Sequence, residues 1–253
     1  MNEKDINALL KWYAKEKRDL PWRHTTDSYK IWISEVMLQQ TRVEAVKEYY
    51  KRFLNVIPNI EALADIEEDT LLKLWEGLGY YSRARNLKKC AIEVKKRGLK
   101  SLPDNEAEIM SLPGIGPYTA GAILSIAYQK CVPAIDGNVM RILSRLFEDN
   151  RDMLNPKVRK EYTQLLQKFM KPEEARDFTE SFIELGALVC IPNGKPKCSE
   201  CPLHDICKSC KKNTMLEYPV KKEKIKRKIA EKTVYILECD SKKRKRGLAS
   251  RAL

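Results

Sequence analysis

The sequence holds 253 residues, 43% of them apolar and 33% charged, with a net charge of +13 at neutral pH. Such a chain is long enough for one large or two small domains with a real core, and too apolar to stay disordered. No apolar run approaches the roughly 18 residues that a membrane-spanning helix needs, and the charged, helix-like segment 1–18 does not read as a secretory signal. The expectation is a cytoplasmic protein with no membrane partner. The basic surplus favours a polyanion, and nucleic acid is the commonest; a soluble protein with a basic tail accounts for the charge equally well.

In chain order, Tyr29–Phe53 places Ile33, Val36, Met37, Gln40, Val43 and Val46 at mixed three- and four-residue steps, which predicts one long amphipathic helix. Glu68–Trp75 and Tyr81–Arg97 predict two more, the second ended by Gly98. Asn105–Leu112 and Tyr118–Tyr128 follow, separated by a short Gly-Ile-Gly turn. Asn138–Phe147, Val158–Met170 and Glu173–Leu188 complete the helical set. No segment before residue 230 alternates as a strand does, and no internal repeat is visible. The predicted fold class is all-α. Lys221–Lys228 is nearly all basic and reads as a linker, Thr233–Cys239 as one good strand, and Ser241–Leu253 as another basic stretch. A lone strand leaves two unpaired edges, so residues 230–253 read as the start of a β-containing domain that is otherwise missing.

Among eight cysteines, Cys90, Cys131 and Cys239 stand alone, whereas Cys190, Cys198, Cys201, Cys207 and Cys210 crowd into one short segment. Without an export signal, a metal site is a better expectation than disulfides. Zinc held by Cys198, Cys201, Cys207 and Cys210 would use two CxxC pairs, though the gap between them is short for a zinc ribbon.

Leu112-Pro113-Gly114-Ile115-Gly116 joins two predicted helices. Glycines there permit positive φ and close backbone approach. Amides of such a turn, beside a helix N-terminus, can hold a phosphate whatever the base sequence. By itself the turn is equally an ordinary helix–helix connection. The longer string Leu112–Ile123 (LPGIGPYTAGAI) resembles the helix-hairpin-helix of the base-excision glycosylase superfamily, which places an aspartate shortly after the hairpin. Asp136, in Val132–Val139 (VPAIDGNV), stands at the matching distance.

Cleaving an N-glycosidic bond requires a proton for the leaving base and an anion for the cationic sugar, so a carboxylic acid and a carboxylate serve together. Asp136 suits the second role. It also suits an N-cap for the helix at Asn138, where local amides would keep it ionised. Glu35, taken alone, is a surface glutamate on an amphipathic helix. Its context, Ser34–Thr41 (SEVMLQQT), together with Leu20–Arg23 (LPWR) and Gly77–Arg85 (GLGYYSRAR) in the same order, resembles the MutY family of adenine DNA glycosylases over residues 15–210.

That resemblance implies a base-excision repair enzyme acting on double-stranded DNA, as a monomer, that removes adenine opposite 8-oxoguanine or guanine. It implies that Glu35 protonates the flipped adenine and later handles the attacking water, and that Asp136 stabilises the sugar cation with support from Tyr118 and Asn138. The acid is expected to be partly desolvated, with a raised pKa. Bifunctional relatives carry a lysine where Tyr118 stands, so a monofunctional enzyme without lyase chemistry is implied. Since the target base must leave the stack, Gln40, Thr41, Leu78 and Tyr80 are implied to meet the opposite strand and the damaged guanine. Arg18, Trp22, Arg23, Glu180 and Ile183 are implied near the adenine pocket, and Gly114 and Gly116 on the DNA backbone.

Read residue by residue, Leu78 is equally a core leucine, Tyr80 a buried aromatic, and Tyr118 an aromatic packed at a helix start. Arg83, Arg85, Lys88 and Lys89 read either as phosphate contacts or as a solvated helix face. Cys190, Cys198, Cys201 and Cys207 resemble the family's [4Fe–4S] loop, with one residue more in the first gap; four thiolates suit that cofactor. Around it, Lys195, Lys197, Lys208, Lys211 and Lys212 would make a basic loop. The implied architecture is a six-helix domain over 22–130, a cluster domain made of 1–21 and 131–213, and a linker and remnant strand over 214–253, with DNA entering the cleft between the first two. The family normally adds a C-terminal Nudix-like domain, of which only the first strand is expected here.

Overall fold

The computed structural model describes residues 1–220, so the expected basic linker, the strand at Thr233–Cys239 and the tail to Leu253 lie outside the described residues. Among the described residues there are helices and turns and no strand. None of the helices is long and apolar enough to cross a membrane.

The helices are α1 Glu3–Glu16, α2 Ser28–Leu38, α3 Val43–Val56, α4 Ile60–Asp65, α5 Glu68–Leu74, α6 Ser82–Lys96, α7 Glu106–Met110, α8 Pro117–Tyr128, α9 Gly137–Phe147, α10 Pro156–Gln167, α11 Ala175–Leu188 and α12 Lys208–Lys212. Local chemistry sets half of their starts. Asn2, Asp27, Asn59, Asn105, Asp136 and Asn155 each cap the following helix with a side-chain oxygen, which satisfies an amide that has no partner within the helix. Gly98, at φ +71°, follows α6 as expected.

One expectation fails. Tyr29–Phe53 is not a single helix but α2 and α3, broken at residues 39–42. Gln40 sits at φ +58°, in the left-handed region. The apolar rhythm runs through the break because both helices bury Val36, Met37 and Val46 in the same core, so periodicity alone does not reveal it. Helix α4 has no counterpart in the predicted set; its six residues are too few to show a period.

Two cores organise the chain within one compact unit, Met1–Lys221. The first gathers α2–α8 around Trp32, Phe53, Trp75 and Leu87. The second gathers α9–α11 and the N-terminal α1, with Leu9, Leu143, Phe178 and Phe182 at its centre. Helix α8 lies against both α2 and α11. Gly121 permits close contact between α8 and the chain after it, since a Cβ there would stand 2.5 Å from the Pro133 carbonyl oxygen.

Candidate active site and thiol pocket

Between the cores lies a cleft of about 570 Å³, lined among others by Glu35, Tyr118, Asp136 and Asn138. Its size suits a small organic ligand. Helix α2 brings in Glu35, the hairpin's second helix brings Tyr118, and the cap of α9 brings Asp136, so residues a hundred positions apart line one cleft.

Glu35 is 7% exposed and accepts a hydrogen bond of 2.7 Å from the Tyr118 hydroxyl. Burial pushes its carboxyl up to about 7, against the Tyr118 hydrogen bond, and Glu180 and Asp136 add to the rise. The raised acid expected at this position is therefore present. Tyr118 differs from the expectation: its hydroxyl serves Glu35, not Asp136. The support for Asp136 comes from Asn138, whose Nδ2 donates to Oδ2 at 2.6 Å, and from the Val139 amide, which donates to Oδ1 at 2.8 Å. Asp136 thus both caps α9 and faces the cleft. The expected amide support is present and pulls its pKa down, while burial raises it and outweighs those hydrogen bonds.

Asn138 is itself fixed. Its Oδ1 accepts from Arg141 Nη2 at 2.9 Å. Gly186 of α11 leaves room for it, because a Cβ there would fall 2.5 Å from the Asn138 Cβ.

Arg18, Trp22, Arg23, Glu180 and Ile183 line the same cleft. Behind them stands Glu184, fully buried, which the sequence reading missed. It accepts from Arg18 at 2.6 and 2.9 Å and from Arg23 at 2.9 and 3.0 Å. Burial pushes Glu184 up, but the hydrogen bonds from Arg18 and Arg23 outweigh it and hold its carboxyl at about 2. Glu180 accepts from the buried Tyr13 hydroxyl of α1 and pairs with Arg176 at 3.4 Å. Trp22 packs edge-on against Tyr50 and is 6% exposed.

Gln40 and Thr41 reach the cleft from the loop between α2 and α3, not from the helix that carries Glu35. Leu78 is buried in the first core, whereas Tyr80, at φ +47°, is 61% exposed. The link between these two loops is Arg83. It is neither a phosphate contact nor part of a solvated face, but is buried. Its Nη1 donates to the carbonyls of Val36, Met37 and Gln39 at 2.7–3.0 Å, and its Nη2 to Leu78, Gly79 and the Thr41 hydroxyl at 3.0–3.2 Å. The guanidinium stacks near Trp75 and Tyr80. A helix ends with unpaired carbonyls that favour a cation; α2 has no basic residue in its last turn, and Arg83 supplies one from α6. Arg85 pairs with Glu68, and Lys88 donates to the Ile66 carbonyl.

The hairpin spans the end of α7 to the start of α8. Gly114 sits at φ +78°, and a Cβ there would stand 2.8 Å from the Asn86 Cβ. Gly116 does not need positive φ: it adopts −98° as the N-cap of α8, followed by Pro117 at the first helical position. Neither glycine lines the cleft. Gly114 borders a small separate cavity with Asn86 and Arg83.

In the second core, Cys190, Cys198, Cys201, Cys207 and Cys210 all line one apolar pocket. Arg145, 3% exposed, donates to Cys190 Sγ at 3.4 Å, and the buried Arg141 stands beside the same thiol. Cys207 receives backbone amides of Ser209 and Cys210, and Cys201 that of Leu203. The Ser209 hydroxyl is fully buried and has no hydrogen-bond partner among the described residues. Among those residues, no three His, Cys, Asp or Glu side chains gather tightly enough to hold a single ion. Soft donors spread around a pocket, N–H donors to the sulfurs and two buried cations fit an anionic iron–sulfur cluster held by thiolates. Lys197 and Lys212 of the expected basic loop are paired, with Glu200 and Glu148.

Solved structures with the same architecture include a thermostable thymine-DNA glycosylase, at TM-score 0.76 and 29% identity over 83% of this chain and 98% of that one. Another is a trapped endonuclease III–DNA covalent intermediate, at TM-score 0.69 and 23% identity over 84% of this chain and 99% of that one, a likeness of fold. Among curated proteins, the adenine DNA glycosylase of Buchnera aphidicola subsp. Baizongia pistaciae is 40% identical over 218 residues, which is 86% of this chain and 61% of the relative. That of Mus musculus is 40% identical over 210 residues, 79% of this chain and 41% of the relative. The chain thus spans less than two thirds of the length of these relatives. The family model described as "HhH-GPD superfamily base excision DNA repair protein" matches residues 33–172, a stretch that holds Glu35, the hairpin and Asp136. With more than half of the chain matched, this protein belongs to the HhH-GPD superfamily of base excision DNA repair proteins.

Proposed function

We propose that the chain is a monofunctional adenine DNA glycosylase that hydrolyses the N-glycosidic bond of adenine opposite 8-oxoguanine or guanine. The observation that carries the reading is Glu35: a buried carboxyl at about 7, hydrogen-bonded by Tyr118, in one cleft with Asp136. The relatives named adenine DNA glycosylase support it.

With adenine flipped into the cleft, protonated Glu35 gives its proton to N7. The C–N bond breaks, its electron pair leaves with the base, and C1′ becomes cationic. The Asp136 carboxylate, held by Asn138 and the Val139 amide, stabilises that cation. Water adds to C1′ and loses a proton to the Glu35 carboxylate, which restores the acid. Arg18, Trp22, Arg23 and Glu180 shape the adenine end of the cleft, already ordered by Glu184 and Tyr13. Gln40, Thr41 and the exposed Tyr80 act on the opposite strand, while Leu78 stays in the first core, and Gly114 and Gly116 act on the phosphates. Tyr118 offers no amine for a Schiff base. Cys190, Cys198, Cys201 and Cys207 would hold a [4Fe–4S] cluster, which would link the loops that follow α11 and supply no step of a hydrolysis.

The test is single-turnover excision on duplexes containing adenine opposite 8-oxoguanine, adenine opposite guanine, or thymine opposite guanine, with Glu35→Gln as control. Adenine release that needs alkali to nick the strand, leaves no borohydride-trapped adduct and vanishes in the variant is the expected result. Thymine release instead, or a trapped adduct, would overturn the assignment.

A further inference from the structure

Helix α11 carries charged residues at four-residue steps, Arg176, Glu180 and Glu184. The two glutamates differ in what they leave open. Glu184 is filled: it accepts from the Arg18 amide at 2.8 Å as well as from the Arg18 and Arg23 side chains, and it stands behind the cleft wall. Glu180 lines the cleft. Its ion pairs are long, 3.4 Å to Arg176 Nε and 3.7 Å to Arg23 Nε. Among the described residues, the one hydrogen bond to its side chain comes from the Tyr13 hydroxyl of α1, on Oε2. A long ion pair attracts without fixing direction, whereas a hydrogen bond is directional, so Tyr13 sets which way this carboxylate turns. Tyr13 is itself held. It is 1% exposed, with the Lys17 and Arg23 cations over its ring. Burial and the adjoining Glu180 push its phenol far up, so it stays a donor. A carboxylate that accepts one hydrogen bond has lone pairs to spare, and those of Glu180 are available to a base in the cleft.

We propose that Tyr13, on the N-terminal helix, is a positioning residue for base choice: by fixing the direction of the Glu180 carboxylate it sets the preference of the cleft for a purine with a 6-amino group. This rests on the reading that the cleft takes adenine. An amino group at that position offers an N–H to the fixed acceptor. A purine with hydrogen there leaves the acceptor unfilled, at a cost that a site built to hydrogen-bond its substrate turns into selectivity. Tyr13 makes and breaks no bond of the reaction, which stays with Glu35 and Asp136. A phenylalanine would fill the same space between α1 and α11, so the hydroxyl is what the proposal singles out.

The measurement is single-turnover excision by the full-length chain on two duplexes, one with adenine and one with unsubstituted purine opposite 8-oxoguanine. The ratio of the two rates is the readout, because it cancels the active fraction and any general loosening of the fold. In Tyr13→Phe that ratio should fall about tenfold. Both rates lowered alike, with the ratio kept, is what a merely structural hydroxyl gives and overturns the proposal. Glu180→Gln should lower the ratio as far, and Tyr13→Phe added to it should change the ratio by less than about twofold. A further large fall in the double variant means that Tyr13 acts by another route, which also sinks the idea. Should Tyr13→Phe fail to fold, Glu180→Gln decides: a wild-type ratio in that variant leaves Tyr13 nothing to position. A wild-type chain that releases no adenine overturns the reading of the cleft instead, so the two failures are told apart.

Discussion

At the residue scale, the carboxyl of Glu35 couples activity, pH and stability. A general acid works only while protonated, so excision should decline as pH rises through about 7, the value to which burial lifts this group. Single-turnover rates from pH 5 to 9 check this, and a rate flat across that range would exclude Glu35 as the acid. Glu35→Gln should lower the rate by roughly a hundredfold or more. The same residue costs stability. Its folded pKa lies above the unfolded value, so the folded state binds the proton more tightly, and stability is lost as pH rises from about 4.5 to about 7. Glu35→Gln should therefore unfold later than wild type at pH 8, by up to about 3 kcal/mol, and show no such gain at pH 4, measured by urea denaturation. The Tyr118 hydrogen bond pulls Glu35 down, so Tyr118→Phe should move the alkaline limb of the rate profile upward while leaving the acid plateau in place. A limb that moves downward would show that the hydroxyl does not act on Glu35 in the working complex.

Among elements, two joints decide whether these residues meet. One is Arg83, which ties the end of α2 to the loop before α6 and so holds Gln40 and Tyr80, both at positive φ, on either side of one guanidinium. Arg83→Met would strand several buried carbonyls, and the cost should be about 2–4 kcal/mol in urea unfolding. Binding to an adenine mispair should weaken more than binding to matched duplex; equal weakening would mean that the two loops do not read the mispair. The other joint is the crossing of α9 and α11 at Gly186. Gly186→Ala would push Asn138 aside, and a displaced Asn138 releases Asp136. Excision should drop at least about tenfold with duplex affinity retained; retained excision would show that Asp136 needs no such support. These joints explain the limits of the sequence reading. Caps and turns depend on neighbours within a few positions, which is why Asp136 at the start of α9 and Gly98 after α6 are legible. The break between α2 and α3 is not, because its stabilising cation comes from Arg83, more than 40 positions away.

For the whole molecule, the proposed DNA partner puts net charge and the cleft between the cores to the test. Binding to any duplex should weaken with salt, linearly on logarithmic axes, and roughly tenfold or more between 50 and 200 mM if several phosphates are neutralised. Fluorescence anisotropy with matched and mispaired duplexes checks this, and an affinity indifferent to salt would deny a phosphate-based interface. The candidate carboxylates Glu35 and Asp136 and the hairpin string were singled out by the resemblance of the strings that hold them, and the crowded cysteines by their spacing. Glu184, Tyr13 and Arg83 were not, because a buried glutamate, a tyrosine on an amphipathic helix and an arginine in a basic run look the same whether or not a distant partner awaits them. The sequence by itself determined the helical class, the caps and the kinds of atom at the site. Only the tertiary structure decided that Tyr118 serves Glu35 and Asn138 serves Asp136, that Gln40 and Thr41 stand on a loop and not on the helix of Glu35, and that five thiols share one pocket. Hydrogen bonds and burial between distant segments depend on how two cores pack, and no local pattern encodes that.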